Sequence, residues 1–206
     1  MLVFKELAHR CGLLKALGNG LRGKLALLLI MGRLLTQRSR LYLCEWGKNQ
    51  ELDSILGISR YDEDDLYEVL DWLNKKQREI EKRLFREHYK EEPPRLFLYD
   101  VTSSYLEGEY NELAEYGYNR DGKRGGKQIV IGLMADGGGR PVTIEVFEGN
   151  TRDMKTVSSQ IKKLALSFGV REVVFVGDRG MIKSAEVEEI KEEGLFYITA
   201  ITKPQD

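Results

Sequence analysis

The spacing of apolar residues changes character near the middle of the chain. Up to about residue 92 they recur every three or four positions, the period of a helix face. The clearest run lies between residues 61 and 88. There Leu66, Val69, Leu70, Leu73, Ile80, Leu84 and Phe85 fall on one side of a single amphipathic helix. Asp62, Glu63, Asp64 and Asp65 stand at its start, and Lys82, Arg83 and Arg86 near its end. Each sign lies where the helix dipole favours it. Glu91-Glu92-Pro93-Pro94 stops the helix. The expected boundary therefore separates a helical region, 1–92, from a second region, 93–206. Within the first region, LALLLIMG (25–32) lies between Lys24 and Arg33 and predicts a buried helix, too short to span a bilayer. LDSILGIS (52–59) predicts a helical hairpin turning at Gly57, with a faint helix-turn-helix pattern.

Beyond residue 93 the pattern becomes short runs of apolar and β-branched residues broken by glycines. RLFLYDVTSSYL (95–106), KQIVIGLMAD (127–136), RPVTIEVFEG (140–149), REVVFVGD (171–178) and FYITAIT (196–202) predict five strands. Asp153 to Phe168 predicts a helix with Met154, Val157, Ile161, Leu164, Ala165 and Phe168 on its core side, ended by Gly169. Residues 184–193 predict a second, charged helix. Gly137-Gly138-Gly139 joins two strands as an antiparallel hairpin, while strands separated by helices pair in parallel. The fold class is thus α/β, of mixed α+β type, with a mixed five-stranded sheet. REVVFVGD reads as a strand buried on both faces.

Charge adds an asymmetry that the net value of −1 hides. Residues 1–40 carry eight Lys or Arg against one acid, a balance of +7, and residues 41–74 carry two bases against nine acids, a balance of −7. A basic segment suits a phosphate backbone, although any one stretch also reads as a solvated helix face. Cys11 and Cys44 match no disulfide or metal spacing, and the N-terminus lacks a secretory pattern, so a reducing cytoplasm is expected. No membrane span is expected. His9 and His88 have no ligand partners at zinc spacing.

Two acids interrupt apolar strands. Asp100 lies inside LFLYDVTSSY and Asp178 ends VFVGD. An ionised carboxylate in a strand core is costly unless it is paired or holds a metal. If the first and fourth strands are neighbours, the two carboxylates lie about 4.8 Å apart at the backbone. They would repel each other, and a hard, oxygen-preferring cation such as Mg²⁺ relieves the repulsion. The matching chemistry is metal-assisted phosphoryl transfer. Alternatively, Asp100 caps its own following backbone and Asp178 pairs with Arg179. Arg120, Lys123, Arg124 and Lys127 form a basic, glycine-rich loop that could approach DNA phosphates or remain solvated.

The stretches YDVTSSYLEG (99–108), GYNRDGKRGGKQIVIGLM (117–134), VFEGNTRDMKT (146–156), VVFVGDRGMI (173–182) and FYITAI (196–201) resemble the catalytic domain of insertion-sequence transposases of the DDE type, in the IS-four-like superfamily. Residues 61–98 resemble the helical part preceding that domain. The resemblance implies an RNase H-like fold in which the strands carrying Asp100 and Asp178 are adjacent. It implies that these residues are the first two acids of a triad binding two Mg²⁺ or Mn²⁺ ions. It also implies double-stranded DNA, as transposon ends and target, as the partner in metal-dependent cleavage and strand transfer in a prokaryotic, nucleoid-associated setting. Arg179 could hold a scissile phosphate or neutralise Asp178, and a homodimer or a full-length transposase is a further possible partner.

The family's third acid, a Glu on a helix beyond the last strand, has no counterpart, because only Lys203, Pro204, Gln205 and Asp206 follow Thr202. The RNase H-like domain is therefore expected to lack its C-terminal part, and the chain to be a truncated fragment inactive by itself. Two other functions compete. One is a non-catalytic fragment that binds DNA or a transposase protomer. The other is a haloacid-dehalogenase-like phosphatase, against which Thr102 stands where that chemistry wants a second acid.

Overall fold

A computed structural model describes residues 1–108, 110–117, 125–170, 174–177 and 196–199. The chain divides into two compact units, Met1–His88 and Tyr89–Asp206.

The first unit contains six helices among the described residues: α1 (Leu2–Arg10), α2 (Leu13–Leu17), α3 (Leu21–Leu35), α4 (Arg40–Lys48), α5 (Leu52–Leu56) and α6 (Glu63–His88). The apolar run around 25–32 forms the centre of α3, where Leu25, Ala26, Leu27, Leu28 and Met31 are buried. Leu66 and Val69 of α6 join the same core with Ala16 and Leu43. Helix α6 begins at Glu63 because Asp62 and Asp65 cap it reciprocally. Asp62 Oδ1 accepts the Asp65 N–H at 3.0 Å, and Asp65 Oδ2 accepts the Asp62 N–H at 3.0 Å. The far end of α6 is tied to α2: Arg83 Nη1 donates to Ala16 O at 3.1 Å, and the Lys15 ammonium bonds the Glu87 carboxylate. Around 52–59 the chain makes the five-residue helix α5, which ends at Gly57 with φ 66°. Among the described residues no helix is long and apolar enough to cross a membrane.

The second unit is built on a five-stranded mixed sheet of order β3-β2-β1-β4-β5. Strands β1 (Leu96–Tyr105), β2 (Gln128–Asp136) and β3 (Pro141–Glu148) form an antiparallel meander. Strands β4 (Val174–Gly177) and β5 (Phe196–Thr199) add in parallel to β1. Helix α7 (Asp153–Lys163) continues as a π-helical turn over Leu164–Phe168, so the helix expected over 153–168 changes its winding in the last turn.

Alternation along the strands separates two faces. On one, Phe97, Tyr99, Val101, Val130 and Met134 are buried with Val157 and Leu164. Glu145 of β3 accepts hydrogen bonds from Ser159 and Gln160 of α7, which fastens the helix to this face. On the other face Leu98, Leu133, Ile144, Val146 and Ile198 are exposed. The strand expected to be buried on both faces is not: Val174 and Val176 are half-buried. They pair with Leu96 and Leu98, whose side of the sheet is open among the described residues.

Candidate functional site at the β1–β4 junction

Asp100 occupies the middle of β1, opposite Leu133 of β2. It is exposed, because even-numbered residues of β1 point to the open face. The desolvation cost expected for a carboxylate in an apolar strand therefore does not arise: the strand is apolar on its odd-numbered side, and Asp100 belongs to the other.

The carboxylate has a fixed orientation. Leu106 N–H donates to Lys127 O at 2.9 Å, so even-numbered backbone groups of β1 face β2. Odd-numbered groups face β4, as the bond from Val174 N–H to Arg95 O confirms. Val101 N–H thus points to the β4 side, beyond the last described pair, Leu98 with Val176. It donates to Asp100 Oδ1 at 2.8 Å. That bond draws the side chain towards β4 and leaves Oδ2 without a partner among the described residues. Asp100 therefore does cap its own following backbone, one of the two roles its sequence context offered, and still presents an oxygen.

Strands β1 and β4 are parallel neighbours, the adjacency that two acids on these strands need in order to meet. The paired residues keep a constant offset: 174 − 96 and 176 − 98 are both 78. Asp178 itself lies outside the described residues, as do Arg179, Arg120, Lys123 and Arg124. Among the described residues no group of three or more His, Cys, Asp or Glu could hold a metal ion.

Lys127 is described, and it brings a residue that no sequence pattern singled out. Its Nζ lies 6.0 Å from the centroid of the Tyr116 ring. Odd-numbered positions of β2 share the face of Asp100, and the bond between Leu106 and Lys127 extends the ladder by one residue. Lys127 and Tyr116 therefore lie on the Asp100 side of the sheet. The only signal for Tyr116 in the sequence is its place at the edge of the basic loop.

Comparison with known proteins follows the same lines. The family model described as a transposase DDE domain matches residues 91–206. Among solved structures, the chain is similar to a piggyBac transposase synaptic complex with hairpin DNA, at 12% identity and a TM-score of 0.50, covering 89% of this chain and 41% of that one. It is also similar to a Mos1 transposase paired-end complex with the left transposon end, at 13% identity and a TM-score of 0.35, covering 86% and 59%. A mariner Mos1 paired-end complex with Mg matches at 13% identity and a TM-score of 0.34, covering 85% and 58%. The chain thus spans less than two thirds of the length of these structures. No curated protein matches it. Residues 91–206 make up more than half of the 206, and the chain belongs to the transposase DDE domain family.

Proposed function

We propose that the second unit is the catalytic domain of a DNA transposase, with Asp100 and Asp178 as two of its metal-binding acids. The observation that carries the reading is the register of β1 against β4. Every described pair is offset by 78 residues, and Asp178 follows Asp100 by the same 78. Were the same register to continue two residues past Leu98 and Val176, positions 100 and 178 would be partners on neighbouring strands. Partners in a parallel pair share a face, so both would project to the side where Asp100 is exposed.

The residues fit a divalent cation. Asp100 offers a hard oxygen donor at a solvent-accessible position, and its other oxygen is held by Val101 N–H, so the donor is oriented before anything binds. Asp100 and Asp178 would hold Mg²⁺ or Mn²⁺. When bound, such an ion activates an attacking oxygen and stabilises a leaving one in phosphoryl transfer on DNA. The protein's own part would be to hold the two carboxylates on one face of the sheet, at its two neighbouring interior strands, where a nucleic-acid backbone can approach. Double-stranded DNA, as transposon end and target, is the partner this implies. Lys127 on that face offers a phosphate contact.

Metal titration of the purified chain tests the site. Asp100→Asn is expected to weaken Mn²⁺ binding at least tenfold, following the losses seen at metal sites when supporting groups are removed. It should also remove any Mn²⁺-dependent nicking of plasmid DNA. Equal Mn²⁺ affinity in both proteins would sink the assignment. Steady hydrolysis of a simple phosphate ester without DNA would favour a phosphatase instead.

A further inference from the structure

We infer that Tyr116 and Lys127 form a stacking platform for an unpaired nucleotide, about 20 Å along the sheet from Asp100. The inference rests on the transposase reading of the site and extends it to a residue outside the acids and the basic loop.

The first observation is the exposure of an aromatic ring on a rigid mount. Tyr116 is 64% exposed. Loops that leave a tyrosine in water are common, but this one is anchored on several sides. Glu115 and Gln128 exchange both backbone hydrogen bonds, at 3.1 and 3.0 Å. Gly149 N–H donates to Leu113 O at 2.9 Å. The buried Gln128 side chain donates from Nε2 to Gly149 O at 2.9 Å. The backbones approach so closely that a Cβ on Gly117 would lie 1.8 Å from Gly149 O, and one on Gly149 would lie 1.9 Å from Gln128 O. Only glycine fits at either position. The anchor fixes the residues on both sides of Tyr116 and leaves its ring in solvent.

The second observation is the cation. Lys127 is the cross-strand neighbour of Tyr116, one step past the bonded pair Glu115 and Gln128, and its ammonium lies over the ring. A lysine alone suffices to hold a phosphate. A preordered ring beside it adds little on a closed duplex, whose bases are stacked on each other. The ring gains most when one base face is free, the combination used by proteins that hold single strands.

The third observation is position. The pair lies on the Asp100 face, level with Leu106. Six residues separate Asp100 from Leu106, about 20 Å along a strand. Ring and ammonium thus share a face with Asp100, where an opened strand of a bound DNA can meet them.

The test measures binding of the full chain to two DNAs by fluorescence anisotropy, across a salt series. One is a blunt duplex. The other has the same sequence with a single-stranded extension carrying 2-aminopurine. Tyr116→Ala is expected to weaken binding to the extended DNA roughly tenfold and to leave the blunt duplex unchanged. Tyr116→Phe should retain wild-type affinity and 2-aminopurine quenching. Lys127→Gln should reduce the salt slope on the extended DNA by about 0.7. Extended-DNA binding unaffected by Tyr116→Ala would overturn the platform alone, as would an equal loss on both DNAs. Absence of binding to either DNA at low salt would overturn the transposase reading and the platform with it. Because the ring is exposed, the Ala variant should melt at the wild-type temperature, so a loss of affinity cannot be put down to unfolding.

Discussion

The two faces of the sheet in the second unit come from alternate residues of the same strands, yet they do different work. Phe97, Tyr99 and Val101 point to the side closed by α7 and are buried, while Leu98, Asp100 and Thr102 point to the other and are exposed. A period of two lets adjacent residues belong to the core and to the site. Asp100 can therefore stand in mid-strand without a buried charge. The division predicts opposite behaviour for residues three positions apart. Phe97→Ala should cost about 3–5 kcal/mol in chemical denaturation, because Phe97 is fully buried. Asp100→Asn should change stability by no more than about 0.5 kcal/mol, while weakening Mn²⁺ binding at least tenfold if the proposed site holds. If the two variants lose comparable stability, Asp100 is part of the fold and the separation of faces fails.

That separation was only partly legible in the sequence. The five strands, their mixed pairing and the helix after β3 follow from the periodicity of the apolar runs and the Gly137-Gly138-Gly139 hairpin. Alternation in LFLYDVTSSY is hidden because both faces are apolar at first: Leu96 and Leu98 sit on the open side beside Phe97 and Tyr99 on the closed one. The same ambiguity made Val174 and Val176 read as buried, whereas they are half-buried beside those leucines. The β1–β4 contact lies beyond local patterning, since residues 78 apart meet only through sheet topology. The Tyr116 mount was invisible for a related reason. Its strength comes from Gln128 and Gly149, which are distant in sequence and ordinary in type.

The hairpin between β2 and β3 offers a way to sharpen the comparison, because it sets the register, and a slip of one residue would exchange the faces. Asp136 holds that turn. Its Oδ1 accepts the N–H groups of Gly138 at 3.0 Å and Arg140 at 2.8 Å, and its Oδ2 accepts the Tyr89 hydroxyl at 2.6 Å. Partial burial pushes the carboxyl pKa up. The hydrogen bonds from Tyr89, Arg140 and Gly138 outweigh it and hold the group below its usual range. A depressed pKa contributes stability above the unfolded-state value of about 3.9 and loses it as pH falls through the folded-state value. Asp136→Asn should thus cost about 1 kcal/mol near neutral pH. The gap to the wild type should close as the pH drops below about 4. A gap that stays constant down to pH 2 would show that the turn does not depend on the ionised carboxylate.

The smallest expected effect is the one that most directly probes the open face. Ile144 on β3 is 44% exposed and pairs with Leu133, itself opposite Asp100. Threonine keeps the β-branch, replaces one arm by a hydroxyl and shortens the side chain. On this face, partly exposed among the described residues, Ile144→Thr should alter stability by no more than about 0.5 kcal/mol. Val130→Thr, on the closed face at 1% exposure, should cost more than 1 kcal/mol because it buries a hydroxyl. A loss above about 1 kcal/mol at Ile144 would mean that the face is covered in solution. Dependence of that loss on protein concentration would then identify a second copy as the cover, since a covering segment of the same chain would act independently of concentration.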